Sequence, residues 1–398
     1  MPAAEDRLSK DARSHLLLAL GGLFSLAAAM GIGRFVYTPI LPYMTDGLNL
    51  PANQAGLIAS ANFFGYLAGA LAGAAKSLPG KPRHWFLGGL LASGATSIAM
   101  ALTTDLTAFL LIRFLSGVAS AFVLVFSTTL ILERLNTAGR SDLSALHFAG
   151  VGCGIAFSAL LIAALASFAA DWRLLWIASG LATLLFLAAA AQLVPAPYQQ
   201  ADNRPAEVPK PGKAAPPMTS GLVRLVSAYG LFGFGYVITA TFVSVIARAE
   251  PALQSSEKLV WLIVGLSAAP SIYLWNKVAA RTGARKAFAL ACVLESAGVA
   301  LTVVSQQPVL FLLGAMLLGG TFMGITALGL MEGRRQAQKH GQTAVRRMLA
   351  ILTASFGAGQ VVGPWFAGQL HAMTGSFNSA SLAAAAALLI AAVLVVRD

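Results

Sequence analysis

Long apolar stretches separated by short polar segments recur along the whole chain. A helix needs about 20 mostly apolar residues to cross a bilayer, and twelve stretches meet that requirement. The predicted spans are 15–44, 53–75, 84–103, 106–132, 142–168, 172–194, 220–247, 258–278, 286–305, 308–331, 344–370 and 378–396. These stretches are too long and too uniformly apolar for the alternation of a membrane β-barrel. The pattern therefore predicts an all-α integral membrane protein.

A polar segment, residues 195–219, separates the sixth span from the seventh and is rich in Pro, Ala and charge. Such composition is typical of a linker, here between an amino-terminal half, residues 1–194, and a carboxy-terminal half, residues 220–398. The sequence "GIGRFVYT" at 31–38 aligns with "GFGYVITA" at 233–240, and at the same offset Gly117 meets Gly319. We therefore expect two pseudo-symmetric six-helix halves, an architecture of transporters that bind substrate between the halves.

The composition, 57% hydrophobic and only 11% charged, excludes an ordinary soluble globular protein. The net charge is +12, with 27 Lys and Arg residues. If the amino terminus is cytoplasmic, all but five of these lie on the cytoplasmic side; Arg173, Lys258 and Arg248 lie outside, and Arg34 and Arg113 lie within helices. The positive-inside rule then predicts a multi-pass protein of the bacterial inner membrane with both termini cytoplasmic. This distribution argues against a nucleic-acid partner.

The sequence carries no signature of catalysis or of a metal site. The first apolar run is longer than the apolar region of a signal peptide, so we expect it to be retained as a helix. Cys153 and Cys292 lie in different halves without metal-ligand spacing, and we expect both to be packing residues. GxSxG, HExxH and phosphate-binding motifs do not occur, nor do paired intramembrane acids. We predict a protein without enzymatic activity, catalytic residues, metal or cofactor.

Four short motifs lie where the major facilitator superfamily has its signatures. They are "RFLSGVASA" in span 4, "DWR" at 171–173, "RTGARK" at 281–286 and "TGSF" at 373–376. Together they resemble that superfamily over essentially the whole chain. More narrowly, "GIGRFVYTPILPYM", "HFAGVGCGIAFSALL" and "FGFGYVITATF" resemble its YbfB/YjiJ branch. The resemblance implies twelve helices, a central cavity lined by helices 1 and 4, transport by alternating access, and a cytoplasmic gating loop containing Arg281, Gly283, Arg285 and Lys286.

Two arginines occupy predicted spans at comparable depth. Arg34 and Arg113 lie about 15 Å and about 10 Å from the outer ends of their helices, at 1.5 Å per residue. An intramembrane arginine costs about 3 kcal/mol on insertion scales, so it normally faces a cavity or a partner. No Asp or Glu lies at that depth in the amino-terminal half. Because guanidinium binds carboxylate bidentately, we predict an anionic substrate. Alternatively, Arg113 binds backbone carbonyl groups and Arg34 extends outward to the interface.

Further polar residues are predicted to line the substrate site beside the two arginines, although each could instead serve helix packing. Tyr37 follows Arg34 by one turn, Asn62 and Tyr66 share a face of span 2, Tyr236 is the repeat counterpart of Arg34, and Gln360 lies in span 11. His147 and Glu295 are the proton-coupling candidates, because histidine titrates near neutral pH and burial can keep a carboxyl group protonated. A neutral, packed side chain is the alternative for both.

The sequence as a whole predicts a secondary transporter for a small organic anion, with proton coupling. Its expected partners are the small-molecule substrate, the proton and the lipid bilayer, and we expect a monomer. Two alternatives stay open at this point: an efflux pump for hydrophobic or cationic compounds, and a ligand sensor built on a transporter fold.

Overall fold

The computed structural model describes residues 2–75, 78–195 and 219–397. The predicted linker lies outside the described residues apart from its two ends. The helical segments are α1 (Pro2–Leu26, Ala27–Ile32 and Tyr37–Leu48), α2 (Ala52–Gly73), α3 (Pro82–Met100), α4 (Leu106–Thr137), α5 (Ser141–Ala166), α6 (Trp172–Leu193), α7 (Ser220–Ala249), α8 (Pro251–Ala268 and Ser271–Thr282), α9 (Ala284–Val304), α10 (Pro308–His340), α11 (Gln342–Thr374) and α12 (Asn378–Val396). No strand occurs in the described parts of the chain, so the all-α prediction is confirmed.

Each of the twelve predicted spans corresponds to one helical segment. Within the described ranges, ten helices are long and apolar enough to cross a membrane, and eleven if the two parts of α8 form one span. The remaining segment, α3, has 19 residues, but Arg83 and His84 lower the hydropathy of its first turn. The described residues thus contain twelve helical segments, of which ten or eleven are long and apolar enough to span a membrane, so the expectation of twelve membrane spans is confirmed in part.

Helix α1 is not continuous, contrary to the prediction of one helix over 15–44. It becomes a π-helix over Ala27–Ile32, residues 33–36 form a turn, and a regular helix resumes over Tyr37–Leu48. The five-residue spacing of π-helical hydrogen bonds is seen where the Gly33 amide donates to the Ala28 carbonyl at 2.8 Å. Such π-turns are frequent at functional sites. Arg34 lies in this turn, so its backbone carbonyl is available to a neighbouring helix.

Helix α8 is also interrupted. Its two parts meet at an angle of 46° next to Pro270. Proline lacks the amide that the preceding turn would bind and its ring clashes with that turn, which accounts for the bend. Two other boundaries differ from the prediction. Helix α10 extends beyond 308–331 because charged residues with good helix propensity, such as Glu332 and Arg334, continue it past the apolar run, and α11 extends beyond 344–370 by two residues at its start and four at its end.

The two halves repeat the same close helix contacts. A Cβ atom added to Gly117 of α4 would lie 2.0 Å from the Asn62 carbonyl oxygen of α2. In the second half, a Cβ atom on Gly319 of α10 would lie 2.3 Å from the Val264 carbonyl oxygen of α8. Both pairs stand at the offset of the sequence repeat, so the alignment found in the sequence also describes the packing.

Glycines also bring the halves together. In the α2–α11 contact, a Cβ atom on Gly56 would lie 2.3 Å from the Pro364 carbonyl oxygen. In the α5–α8 contact, a Cβ atom on Gly152 would lie 2.3 Å from the Ala269 amide nitrogen. The backbones of the two halves therefore touch directly at two places. We call the side of the bundle where α6 and α12 end the terminus side, and the side where α1 and α7 end the far side.

Candidate functional site

The turn inside α1 directs Arg34 to the boundary between the two halves. The side chain is buried, with 3% of its surface exposed. Its Nη2 atom donates a hydrogen bond of 2.9 Å to Oε1 of Gln360 in α11. The Gln360 amide in turn donates to the hydroxyl of Tyr236 in α7. A chain of hydrogen bonds thus connects Arg34 to its own repeat counterpart through a residue of the opposite half.

Aromatic rings enclose the Arg34 guanidinium on its remaining sides. Its central carbon lies 3.9 Å from the centroid of the Tyr66 ring, 4.7 Å from that of Phe63 and 5.4 Å from that of Phe35. Cation–π contacts of this kind hold a desolvated guanidinium without neutralising its charge. Among the described residues no carboxylate forms an ion pair with Arg34, and its Nε atom has no hydrogen-bond partner. The site therefore retains an uncompensated positive charge.

The carboxy-terminal half faces Arg34 with a stack of nearly parallel rings. The Tyr236 ring is inclined by 8° to Phe322, with centroids 5.5 Å apart, and by 4° to Phe356, with centroids 5.9 Å apart. Phe232 continues this stack behind Tyr236 at 5.2 Å. Offset stacking at such distances is a favourable arrangement of aromatic rings. The wall opposite the arginine is consequently flat and apolar, with one hydroxyl group.

Arg113 supports the turn that carries Arg34. Its Nη1 atom donates to the Gly33 carbonyl at 3.2 Å and its Nη2 atom to the Arg34 carbonyl at 3.1 Å. Its guanidinium carbon also lies 5.1 Å from the centroid of Tyr37. The Tyr37 hydroxyl donates to the Ala55 carbonyl of α2 at 2.9 Å. Arg113 and Tyr37 thereby satisfy backbone groups that the irregular part of α1 and neighbouring α2 present to them.

Arg34 and Arg113 nonetheless border one shared space. A cavity of about 10 Å³ is lined by both arginines together with Tyr37, Thr38 and Phe63, and by Thr241 and other residues of α7. This volume is at the threshold for holding one water molecule. The structure therefore shows the centre of the bundle closed around the two guanidinium groups.

Asn62 lies beside this cluster and contacts α4. Its side-chain amide donates to the Arg113 carbonyl at 3.0 Å, while its Oδ1 atom has no partner among the described residues.

Of the residues predicted to line a substrate site, Arg34, Tyr66, Tyr236 and Gln360 come together directly. Tyr37, Asn62 and Arg113 form the adjoining layer. The aromatic partners Phe63 and Phe322 were missed, because the sequence of an apolar helix does not show whether an aromatic residue lines a site or only packs against a neighbouring helix.

Polar contacts between the halves also close the far side. Thr38 of α1 donates to the Ala240 carbonyl of α7 at 2.6 Å. Asp46, at the end of α1, pairs with Nη1 of Arg248, at the end of α7, at 2.8 Å. The other arm of Arg248 pairs with Glu257 of α8, and its guanidinium carbon lies 3.9 Å from the centroid of Tyr43. These contacts lie between the site and the far side, so they separate the two.

The proton-coupling candidates are both fully buried, and Glu295 is close enough to Tyr236 of the Arg34 cluster to interact with it electrostatically. His147 of α5 has its Nε2 atom 3.4 Å from the Ser127 hydroxyl, and a Cβ atom on Gly22 would lie 2.1 Å from its Nδ1. Glu295 lies on the inner face of α9, and neither of its carboxyl oxygens has a partner among the described residues. A second acid, Glu332 of α10, is buried as well, but it binds Arg335 at 2.8 Å. Glu332 was not considered as an intramembrane acid, because span 10 was predicted to end at residue 331.

The first turn of α9 binds the end of α12, and of the predicted gating loop only Gly283 lies between helices. Arg285 donates from Nε to the Val395 carbonyl and from Nη2 to the Arg397 carbonyl, both at 2.9 Å. Arg83, its repeat counterpart, donates to the Ala191 carbonyl at 2.9 Å at the end of α6. Gly283 has a φ of +86°, which permits the sharp turn. Arg281 and Lys286 are exposed on the terminus side.

A family model described as "uncharacterised MFS-type transporter YbfB" matches residues 26–396. The chain belongs to this family. The resemblance of the sequence to the major facilitator superfamily and to its YbfB branch is confirmed. The residues of the Arg34 site lie within the matched range of the transporter. No curated protein sequence matches the transporter.

Solved structures share the fold. A crystal structure of a single-site mutant of the nucleoside transporter NupG has a TM-score of 0.72 and 16% identity, covering 95% of this chain and 98% of that one. A second structure, titled "Crystal structure of nucleoside transporter NupG", has a TM-score of 0.69 and 16% identity, covering 96% and 98%. The transporter therefore has the major facilitator fold. At this identity the likeness extends to the fold alone.

Proposed function

We propose that the transporter is a secondary carrier that moves a small organic anion across the membrane by alternating access, coupled to protons. One observation supports the anion: Arg34 is buried between the halves with no carboxylate partner among the described residues. A buried guanidinium that is bound by a neutral amide gains from a carboxylate ligand, because a carboxylate adds the attraction of opposite charge and can accept two parallel hydrogen bonds. A substrate carboxylate would replace Gln360 on the guanidinium.

That replacement would connect binding to movement. The Arg34–Gln360 hydrogen bond joins α1 of one half to α11 of the other. A ligand that takes the place of Gln360 removes one contact between the halves and supplies another, so it changes the balance between closed and open arrangements. In this proposal Arg113 keeps the Arg34 turn in shape, and the far-side contacts of Arg248 open when the terminus side closes.

The proton is proposed to bind at Glu295, with His147 as the second candidate. A buried carboxyl group without a hydrogen-bond partner is costly to ionise, which favours a neutral acid in the arrangement seen here. His147 has one ring nitrogen near a hydroxyl and the other without a partner among the described residues. Glu295→Gln would abolish proton exchange at the first site, and His147→Asn would abolish it at the second.

We infer a monomer in the bacterial inner membrane with both termini in the cytoplasm. The basic residues Arg83, Arg285 and Arg335 lie on the terminus side, in keeping with the positive-inside rule. Both faces of the Arg34 site come from a single chain, so a second copy is not needed to complete it.

The test is ligand-induced thermal stabilisation of the purified transporter, followed by flux into liposomes. A ligand that binds the folded state raises its apparent stability by mass action. Organic anions, cations, neutral solutes and nucleosides are compared on the wild type, on Arg34→Gln, and on the control Arg173→Gln, which alters an arginine bound to the Ala101 carbonyl outside the site. We expect stabilisation by anions alone, lost in Arg34→Gln and kept in Arg173→Gln. Stabilisation of both variants by cations or lipophilic compounds would instead indicate efflux.

Net flux of a stabilising anion separates a carrier from a sensor. Labelled ligand should accumulate in liposomes containing the wild type when a pH gradient is imposed. Binding without any flux would favour the sensor. Stabilisation by nucleosides that persists in Arg34→Gln would favour a substrate like that named for the structural neighbours and would overturn the anion proposal.

A further inference from the structure

The polar groups that face the centre of the site are few. Apart from the arginines, those next to Arg34 are the Tyr66 hydroxyl and the Gln360 amide and Tyr236 hydroxyl, the last two bonded to each other, while the Asn62 Oδ1 atom in the adjoining layer has no partner among the described residues. The nearby hydroxyl of Thr38 donates to the Ala240 carbonyl at 2.6 Å, and that of Thr241 donates to the Val237 carbonyl at 2.7 Å, so neither donor is free. A ligand with several hydroxyl groups would leave them unpaired in a buried place, which costs the desolvation free energy of each group. The site therefore favours a ligand with one charged group and little else that is polar.

The apolar surroundings of the site consist of flat aromatic rings. Tyr66 lies against one side of the Arg34 guanidinium, and Tyr236 presents its ring between those of Phe322 and Phe356 within 8° of parallel. Aliphatic side chains, which suit rounded apolar ligands, do not form this stack. A planar ring attached to a carboxylate can stack on the parallel rings while its charge reaches Arg34.

From these two observations we infer that the substrate is a planar aromatic carboxylate. The inference rests on the proposed anion transport and narrows its substrate class. The carboxylate takes the place of Gln360 on Arg34, and the ring inserts at the face of Tyr236 beside Phe322. The central space is only about 10 Å³ in the closed structure, so the rings separate as the ligand enters.

The test compares ligands that differ in one property at a time. Benzoate is planar and charged, cyclohexanecarboxylate has the charge without the planar ring, benzamide has the ring without the charge, and gluconate is a polyhydroxylated anion. Dissociation constants are measured by titration of the full-length protein in nanodiscs. We expect benzoate to bind at least tenfold more tightly than each of the others, and Arg34→Gln to abolish its binding.

Aromatic substitutions test the stacking contact itself. Phe322→Leu should weaken the binding of benzoate by about three- to tenfold, the range expected for one aromatic pair. The affinity for cyclohexanecarboxylate should stay unchanged. The control is Phe234→Leu, which alters a ring on the same helix as Tyr236 that packs on Phe366 at 5.5 Å, outside the site. This control should bind both acids as the wild type does.

The outcomes separate the two proposals. If benzoate and cyclohexanecarboxylate bind equally and both are lost in Arg34→Gln, the anion proposal stands and the aromatic inference is wrong. Equal loss of both acids in Phe322→Leu would also overturn the aromatic inference. If benzamide binds as well as benzoate and Arg34→Gln retains both, the anion proposal is wrong. Failure of every acid to bind would overturn both.

Discussion

Arg248 and Asp46 form an ion pair between the two halves, and they stand 202 positions apart in the chain. The same separation relates Thr38 to Ala240, which are joined by a hydrogen bond, and aligns Arg34 with Tyr236. Each contact therefore joins a position to its own counterpart in the repeat. Equivalent positions can meet in this way only near the pseudo-two-fold axis, so α1 and α7 lie along that axis on the far side.

We expect Arg248→Gln to open the far side more often. It removes both the pair with Asp46 and the pair with Glu257, although the first involves an Asp46 side chain that is 67% exposed and contributes under about 1 kcal/mol. A reporter Ser244→Cys, at a buried position on the far side of α7, should react with a thiol reagent several times faster in Arg248→Gln.

Two comparisons complete this measurement, made with Cys153 and Cys292 replaced by serine. Asp46→Asn should accelerate labelling less than Arg248→Gln, because the Glu257 pair remains. Arg140→Gln, which breaks an exposed ion pair with Asp142, should leave the rate unchanged. Equal labelling in all variants would show that these charges do not hold the far side closed.

Alanine at the glycines between the halves should disfavour the closed arrangement. Gly56→Ala and Gly152→Ala each place a Cβ atom 2.3 Å from a backbone atom of the other half, which cannot move aside without separating the halves. We expect a lower melting temperature and faster labelling of Ser244→Cys. Gly88→Ala is the matched control, because nothing lies within 4 Å of its added Cβ atom and alanine is the better helix former. A melting temperature in Gly56→Ala equal to that of Gly88→Ala would contradict the packing described.

Arg113→Gln should destabilise the transporter by about 2–4 kcal/mol, because two charge-assisted hydrogen bonds to the Arg34 turn are lost. Arg113→Lys should recover little of this, since a lysine ammonium lacks the fork that reaches two carbonyl groups. Thermal unfolding and ligand titration distinguish the roles. Unchanged unfolding together with lost anion binding would indicate direct contact between Arg113 and substrate.

Glu295→Gln should uncouple transport from protons. The substitution keeps the size of the side chain and removes the titratable group, so we expect the melting temperature to stay within a few degrees of wild type. Anion exchange across liposomes should persist, whereas accumulation driven by a pH gradient should be lost. Glu332→Gln is the control acid, because Glu332 pairs with Arg335 and Gln336 near the end of α10. Retained pH-driven accumulation in Glu295→Gln would assign the proton elsewhere, with His147→Asn as the next variant.

The positions of the helices could be predicted from the sequence because a span of about 20 apolar residues is dictated by bilayer thickness. The repeat also followed from the chain, because Gly117 and Gly319 align at its offset, and both glycines mark close helix contacts in the structure. The turn at residues 33–36 did not, because its cause is tertiary: Arg113 binds carbonyl groups that the helix leaves unbonded.

The central cluster was partly predictable. Arg34 and Gln360 stand out as polar residues in apolar helices, and charge is costly in a membrane. Their hydrogen bond could not be foreseen, because it joins residues 326 positions apart whose approach depends on how the halves pack. The ion pair of Asp46 and Arg248 and the matching roles of Arg83 and Arg285 were also missed, although the offset of the repeat aligns both pairs in the sequence.

The hydrogen-bonded chain from Arg34 through Gln360 to Tyr236 makes the site asymmetric, although the two halves that form it are pseudo-symmetric. At the same structural position one half supplies a permanent charge and the other supplies a hydroxyl group on a flat ring. A bound anion would therefore stay with the amino-terminal half through the cycle, while the carboxy-terminal half moves over it. In the proposed cycle the amino-terminal half would hold the anion and the carboxy-terminal half would close over it.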